Sequence, residues 1–182
     1  MRLANQLGMA NSFEQVAAKA RGTVQAVKAG FNGLRGVFLH LAEEHGEVAS
    51  LIKRVRSTTE GSVRRDHWPQ IRSELLSHER AERQEVYPRL EGFDTTRRIV
   101  AQHTAEANLL EDAIARLDLL DPSSAAWGSA FEALAVMVEQ HVEEEEGDFF
   151  PKAQIALGED EAESLLKRFE IAKEAAKAEL RH

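Results

Sequence analysis

Apolar residues recur along this chain at intervals of three and four, the spacing that lays one face of an α-helix against a core. Short polar breaks bearing Gly or Pro interrupt the stripes at 58–62, 91–94 and 121–124 and around Gly158. The spacing predicts helices over about 34–56, 67–90, 95–119, 124–156 and 159–180. Asp66 would cap the second, with Pro69 in its first turn, and Asp94 or Thr95 would cap the third. The 121–124 turn would end the third helix and cap the fourth, and Glu159 and Asp160 would open the fifth. Short connections favour antiparallel neighbours. The predicted fold is therefore all-α: an antiparallel up-down four-helix bundle with an extra N-terminal helical segment and a short C-terminal helix. The expected division is a basic amphipathic extension over 1–35, the bundle over 36–157, and a helix over 158–182 packed on it.

The N-terminal segment carries Phe13, Val16, Ala17, Ala20, Val24, Val27, Phe31 and Leu34 at helical spacing, weakened by Gly22, Gly30, Gly33 and Gly36. Three readings stand: an added helix on the bundle, a basic amphipathic arm for a partner or an anionic surface, or a cleaved presequence.

Polar residues inside the stripes carry the chemical information. The first stripe holds His45 between Leu41 and Val48. The second holds His78 and Glu82 between Leu75 and Val86. The third holds His103 between Ile99 and Ala107. The fourth holds His141 and Glu145 between Val138 and Phe149. In two helices a Glu follows its His by one turn on the same face. A buried carboxylate without a partner costs several kcal/mol, so such groups pair or bind a metal. One His on an apolar stripe is most simply a satisfied core residue, but four together with two carboxylates are not. Counting from the predicted turns, antiparallel packing brings all six into one slab about 10 Å thick at 1.5 Å per residue. Imidazoles and carboxylates without thiolates suit iron, manganese or zinc, and the number of groups suits two ions.

Composition narrows the rest. The chain has 182 residues and no cysteine, which excludes disulfides, thiolate metal sites and a Cys nucleophile. Net charge is −8, the wrong sign for general nucleic-acid binding. Arg2, Lys19, Arg21, Lys28 and Arg35 against Glu14 give the first 36 residues +4, leaving −12 for the remainder. No stretch is long and apolar enough for a transmembrane helix, no signal-peptide core is seen, and a cytoplasmic setting is expected.

The residues resemble the hemerythrin family, the His-His-Glu cation-binding domain. The local words are His78-Glu79-Arg80-Ala81-Glu82 before Val86-Tyr87-Pro88, and His141-Val142-Glu143-Glu144-Glu145 before Phe149-Phe150-Pro151. The likeness covers about 36–157. It implies a non-haem di-iron centre in a four-helix bundle. His45, His78, His103 and His141 would be terminal iron ligands, and Glu82 and Glu145 would bridge the irons beside an oxo or hydroxo group. The oxygen-carrying members have a second His one turn after the helix-3 His, where this chain has Ala107. Glu106 beside it offers a charged substitute. Their helix-4 carboxylate follows its His by five residues, matching Glu146, whereas Glu145 matches the bacterial HxxxE form, and Glu144 also lies on the face. A vacant position on one iron disfavours oxygen carriage and favours redox turnover.

Tyr87, the single tyrosine, is either packing at the bundle end or a donor or alternative ligand at the centre. His40 lies off the stripe and is expected at the surface. His67 and His182 read as helix-start and tail residues, and Trp68 and Trp127 as packing caps. Phe38, Phe131, Phe149 and Phe150 are expected to wall the site. The expected function is binding of, or reaction with, dioxygen, hydrogen peroxide or nitric oxide in sensing or stress defence. Weak peroxidase, catalase-like or nitric-oxide-consuming activity is included. The alternatives are a non-catalytic oxygen or iron store, a ferritin-like oxidase and a metal-free helical interaction module.

Overall fold

The computed structural model of the protein describes residues 33–181, all of whose regular elements are helical. The extension predicted over 1–35 and the tail residue His182 lie almost wholly outside the described residues. Residue Leu34 onward forms one compact unit.

Helix α1 spans Gly36–Arg56. Helix α2, Gly61–Ala81, runs through a π turn, Glu82–Val86, into α3, Tyr87–Leu90. Helix α4 is Arg97–Asp118. Helix α5, Ala125–Glu144, runs through a second π turn, Glu145–Phe149, into α6, Phe150–Leu157. Helix α7 is Glu159–Glu179, 21 residues long, the same length as α1 rather than short. The first helix packs against α2 and α5, α4 against α5 and α2, and α7 against both α1 and α2.

Two expectations about helix starts fail. The second helix begins at Gly61, not near residue 67, so Asp66 is not its cap and Pro69 lies inside it. Gly61 is there for closeness: a Cβ would run into Ser123 of the 121–124 turn. The third long helix is preceded by Thr96 rather than Asp94 or Thr95, and no side chain caps it. The Thr96 hydroxyl instead donates to the Leu90 carbonyl at 2.6 Å, closing the turn before it. Ser124 does cap α5, accepting from Trp127 N–H at 3.0 Å.

The core has two tiers. Far from the four stripe histidines, Ile52, Val55, Trp68, Ile71, Ile114, Leu117, Trp127 and Phe131 pack together. Trp127 stacks on Phe131 at 4.9 Å between centroids, and Trp68 meets Trp127 edge-on at 5.9 Å. Phe131 thus belongs to this end and does not wall the site. The other tier gathers Phe38, Tyr87, Phe149 and Phe150, and α7 adds buried Leu165 and Phe169, the latter edge-on to His40 and His78. Fully burying a Leu or Phe is worth about 1.5–3 kcal/mol each, which fixes α7 to the body. At Gly36, with φ +51°, the chain enters α1 so close to the Ala162 carbonyl that any side chain would overlap it.

Candidate metal centre

Between the two tiers the helices present all six polar stripe residues to one interior volume. His45 comes from α1, His78 from α2, His103 from α4 and His141 from α5. Glu82 and Glu145 are the first residues of the two π turns. In each turn the Glu carbonyl accepts from the N–H five residues on, Tyr87 and Phe150 respectively. Pro88 and Pro151 follow at once. A helical proline ring clashes with the carbonyl four residues back, here Gln84 and Gly147, and both lie within the widened turns. The π turn relieves that clash, and such turns concentrate at functional sites.

The centre divides into two halves. In one, His45 Nε2 and His78 Nε2 face each other at 3.3 Å, with Glu145 Oε2 3.3 Å from His45 and Glu82 Oε2 3.5 Å from His78. In the other, His103 Nδ1 and His141 Nδ1 face each other at 3.2 Å, with Glu145 Oε1 3.6 Å from His103 Nδ1. His45, His78 and Glu145 form one group whose ligand atoms converge, and His103, His141 and Glu145 form another. Glu145 belongs to both, as a carboxylate with two oxygens can.

Ring nitrogens this close repel through their lone pairs unless something positive lies between them, a proton or a cation. Protons alone leave a deficit: Glu82 Oε1 and Glu79 Oε2 are buried without a hydrogen-bond partner. Carboxylate oxygens orphaned beside converging imidazoles fit cations. The titration tendencies agree. Burial, then the charges of Glu145 and Glu79, raise Glu82 well above the carboxylate range. Burial also opposes the charge on Glu145, but His141 and His45 outweigh it and hold its carboxyl low. Burial lowers His45, yet hydrogen bonds to Glu145 and Glu146 carry it up to about 9. Cations bound there would take the place of these protons, and loading would release them.

Tyr87 lies at the centre, not merely at the helix end. Its hydroxyl donates to Glu82 Oε2 at 3.2 Å and is 3.4 Å from Glu145 Oε1, spanning the two carboxylates. Glu146 is buried and accepts from His45 Nδ1 at 2.9 Å, orienting that ring rather than joining the interior group. Glu106, about a third exposed, lies 3.3 Å from His141 Nδ1 and 3.8 Å from His103 Nδ1. Glu144 is exposed and accepts from Gln102 at 2.6 Å, though it can converge with His103 and Glu106. Ala107 is buried and adds no donor. Phe150 stacks on His45 at 5.7 Å and Phe149 on His103 at 5.2 Å, with Phe38 behind Phe150.

Three groups escaped the sequence reading. Glu79 is buried, with Oε1 3.2 Å from His141 Nε2. Glu44 accepts from His78 Nδ1 at 2.9 Å and pairs with His40, so His40 is half-buried rather than at the surface. Lys173, buried on α7, reaches Glu44. Glu79 was visible inside the word His78–Glu82, but it falls beside the stripe, not on it. A cavity of about 530 Å³ opens on the side of the centre away from the phenylalanines. His45, His78, Glu79 and His141 line it, and Val48, Leu75, Leu110 and Val138 form its apolar floor.

Residues 37–153 match the family model of the hemerythrin HHE cation-binding domain. The chain belongs to the hemerythrin family. A curated relative, described as a DNA nickase from Nostoc sp. (strain PCC 7120 / SAG 25.82 / UTEX 2576), is 24% identical over 133 residues. The match covers 71% of this chain but only 37% of that relative's length. No solved structure matches the chain. Membership implies cation binding, and the two converging His-His-Glu groups could hold a metal ion. Among the described residues no helix is long and apolar enough to cross a membrane.

Proposed function

We propose that residues 36–157 form an antiparallel up-down four-helix bundle that holds two iron ions and handles small oxidants: dioxygen, hydrogen peroxide or nitric oxide. The observation that carries this reading is the pair of converging groups, His45–His78–Glu145 and His103–His141–Glu145, sharing one carboxylate. His45 and His78 would hold one ion, His103 and His141 the other, with Glu145 and Glu82 between them. Iron held there supplies electrons to a small oxidant. The remaining work belongs to the chain. The phenylalanines exclude water from one side, and the cavity admits ligand from the other. Tyr87 holds a proton between Glu82 and Glu145. Ala107 leaves the second half one donor short, which favours turnover over carriage.

Neither nickase activity nor nucleic-acid binding is part of this reading. The excess of 31 acidic over 23 basic residues is unsuited to neutralising phosphates, and the matched part of the relative is a minority of it. The reading places the protein in the cytoplasm, with α7 docked on the bundle and a partner for the basic N-terminal segment.

The test is metal content of anaerobically prepared protein, with its visible spectrum before and after air, peroxide or nitric oxide. Two irons per chain with rapid oxidation or peroxide consumption is expected. A stable, reversible oxygen spectrum would favour a carrier or store. Folded protein that takes up no iron would overturn the reading.

A further inference from the structure

We propose that Lys173, on the C-terminal helix, is a positioning residue of the metal centre that acts on His78 through Glu44. The inference rests on the di-iron reading, but it concerns a part of the chain beyond residue 153, where the family match ends.

A buried lysine is rare and must be paired. Lys173 is 5% exposed, and its Nζ lies 2.7 Å from Glu44 Oε2 and 3.0 Å from Glu74 Oε2. The same Glu44 oxygen accepts from His78 Nδ1 at 2.9 Å. His40 holds the other Glu44 oxygen at 3.1 Å, and Lys177 holds the other Glu74 oxygen at 2.9 Å. The line from α7 to the centre is therefore Lys173, Glu44, His78 Nδ1, His78 Nε2.

A carboxylate that accepts from the far nitrogen of a ligating imidazole makes that ring a stronger donor. An ammonium on the same oxygen draws the electron density away and weakens the pull. Its positive charge, one residue removed from the ring, also disfavours extra charge on the metal. Both effects favour the ferrous over the ferric state in the His45–His78 half. The molecule contains its own control. His45 Nδ1 has an equivalent carboxylate, Glu146, at 2.9 Å, and among the described residues no lysine or arginine is paired with Glu146. His78 is damped, His45 is not.

The test compares wild type, K173M, K173Q, E44Q and the E44Q/K173M double variant. Each is checked for helicity and for cobalt(II) stoichiometry by anaerobic titration. Iron-loaded samples are then titrated for midpoint potential. K173M is expected to bind two ions and to favour ferric over ferrous about tenfold more than wild type, a fall of about 59 mV for one electron. K173Q is expected to shift the same way by less. In the E44Q background, the Lys173 change is expected to do nothing, because the connecting carboxylate is gone. An unchanged potential and cobalt spectrum in K173M would overturn the inference, as would an equal shift with and without Glu44. Should K173M not fold, K173Q against E44Q carries the same comparison. Wild type that binds no metal would instead sink the di-iron reading itself.

Discussion

The two halves of the centre are built alike in ligand type and unlike in support. Around His45 and His78, the outward nitrogens are held by Glu146 and Glu44, both at 2.9 Å. Around His103 and His141, support is looser. Nε2 of His103 has no partner; on His141, buried Glu79 lies 3.2 Å from Nε2 without making a hydrogen bond, and Glu106, a third exposed, lies 3.3 Å from Nδ1. On the proposed di-iron reading, one half would be preorganised to keep its ion, and the other would be left adjustable, as a site must be if its ligands change during turnover. Rigid outer contacts raise affinity, and their absence leaves room for exchange.

That contrast can be broken outright or sharpened by degrees. The largest effect is expected from Glu145→Ala, because both groups use that residue. Metal analysis after ferrous loading should fall from two ions per chain toward none. Next come His78→Ala and His103→Ala. Each should leave one ion per chain, and competition with a chelator should show the ion that survives in His103→Ala to be the tighter one. Equal affinities in the two variants would erase the distinction between the halves. A smaller effect is expected from Glu146→Gln, about 10–100-fold weaker binding in the first half by loss of an orienting contact. Glu106→Gln should cost less than tenfold, since water can replace an exposed carboxylate. The smallest effect concerns the tie between the first half and the C-terminal helix. Burial opposes the charge on Glu74, but hydrogen bonds from Lys177 and Lys173 hold its carboxyl below the ordinary value of 4.5. Its stabilising contribution is present above pH 4.5 and is lost as pH falls through the lowered value. Urea unfolding of Glu74→Gln above pH 5 should show a loss of about 0.2–1 kcal/mol, typical of a partly exposed pair, vanishing in acid.

The four stripe histidines were legible because burial forces periodicity. His45, His78, His103 and His141 sit where an apolar residue would otherwise sit, and an exception to a periodic pattern is visible in the pattern itself. Phe131 obeyed the same rule and misled, since a stripe reports burial but not the height at which a residue packs. Gly61 misled differently: a glycine needed for close approach to Ser123 looks like one that ends a helix. Glu44, Glu79 and Lys173 were hidden because each lies among charged residues that read as a solvated face. Lys173 is also 129 residues from Glu44, and only the docking of α7 brings the two together. The π turns were hidden because one extra residue in a turn barely disturbs a period of 3.6, although the prolines after each marked where to look.

In the language of insertions and deletions, each π turn is a single added residue that the helix has absorbed without breaking. Removing one residue from 83–86 would restore ordinary winding there and leave everything beyond at nearly the same angle, because four residues of an α turn span about the angle of five in a π turn. Tyr87 would keep its place over Glu82. The cost would fall on the turn itself, where the ring of Pro88 would meet an α-helical carbonyl. The same edit in 146–149 would leave Phe150 in place and bring Pro151 into the same clash. One-residue gaps at these two places are therefore changes that keep the register of the site and kink the helix before each proline.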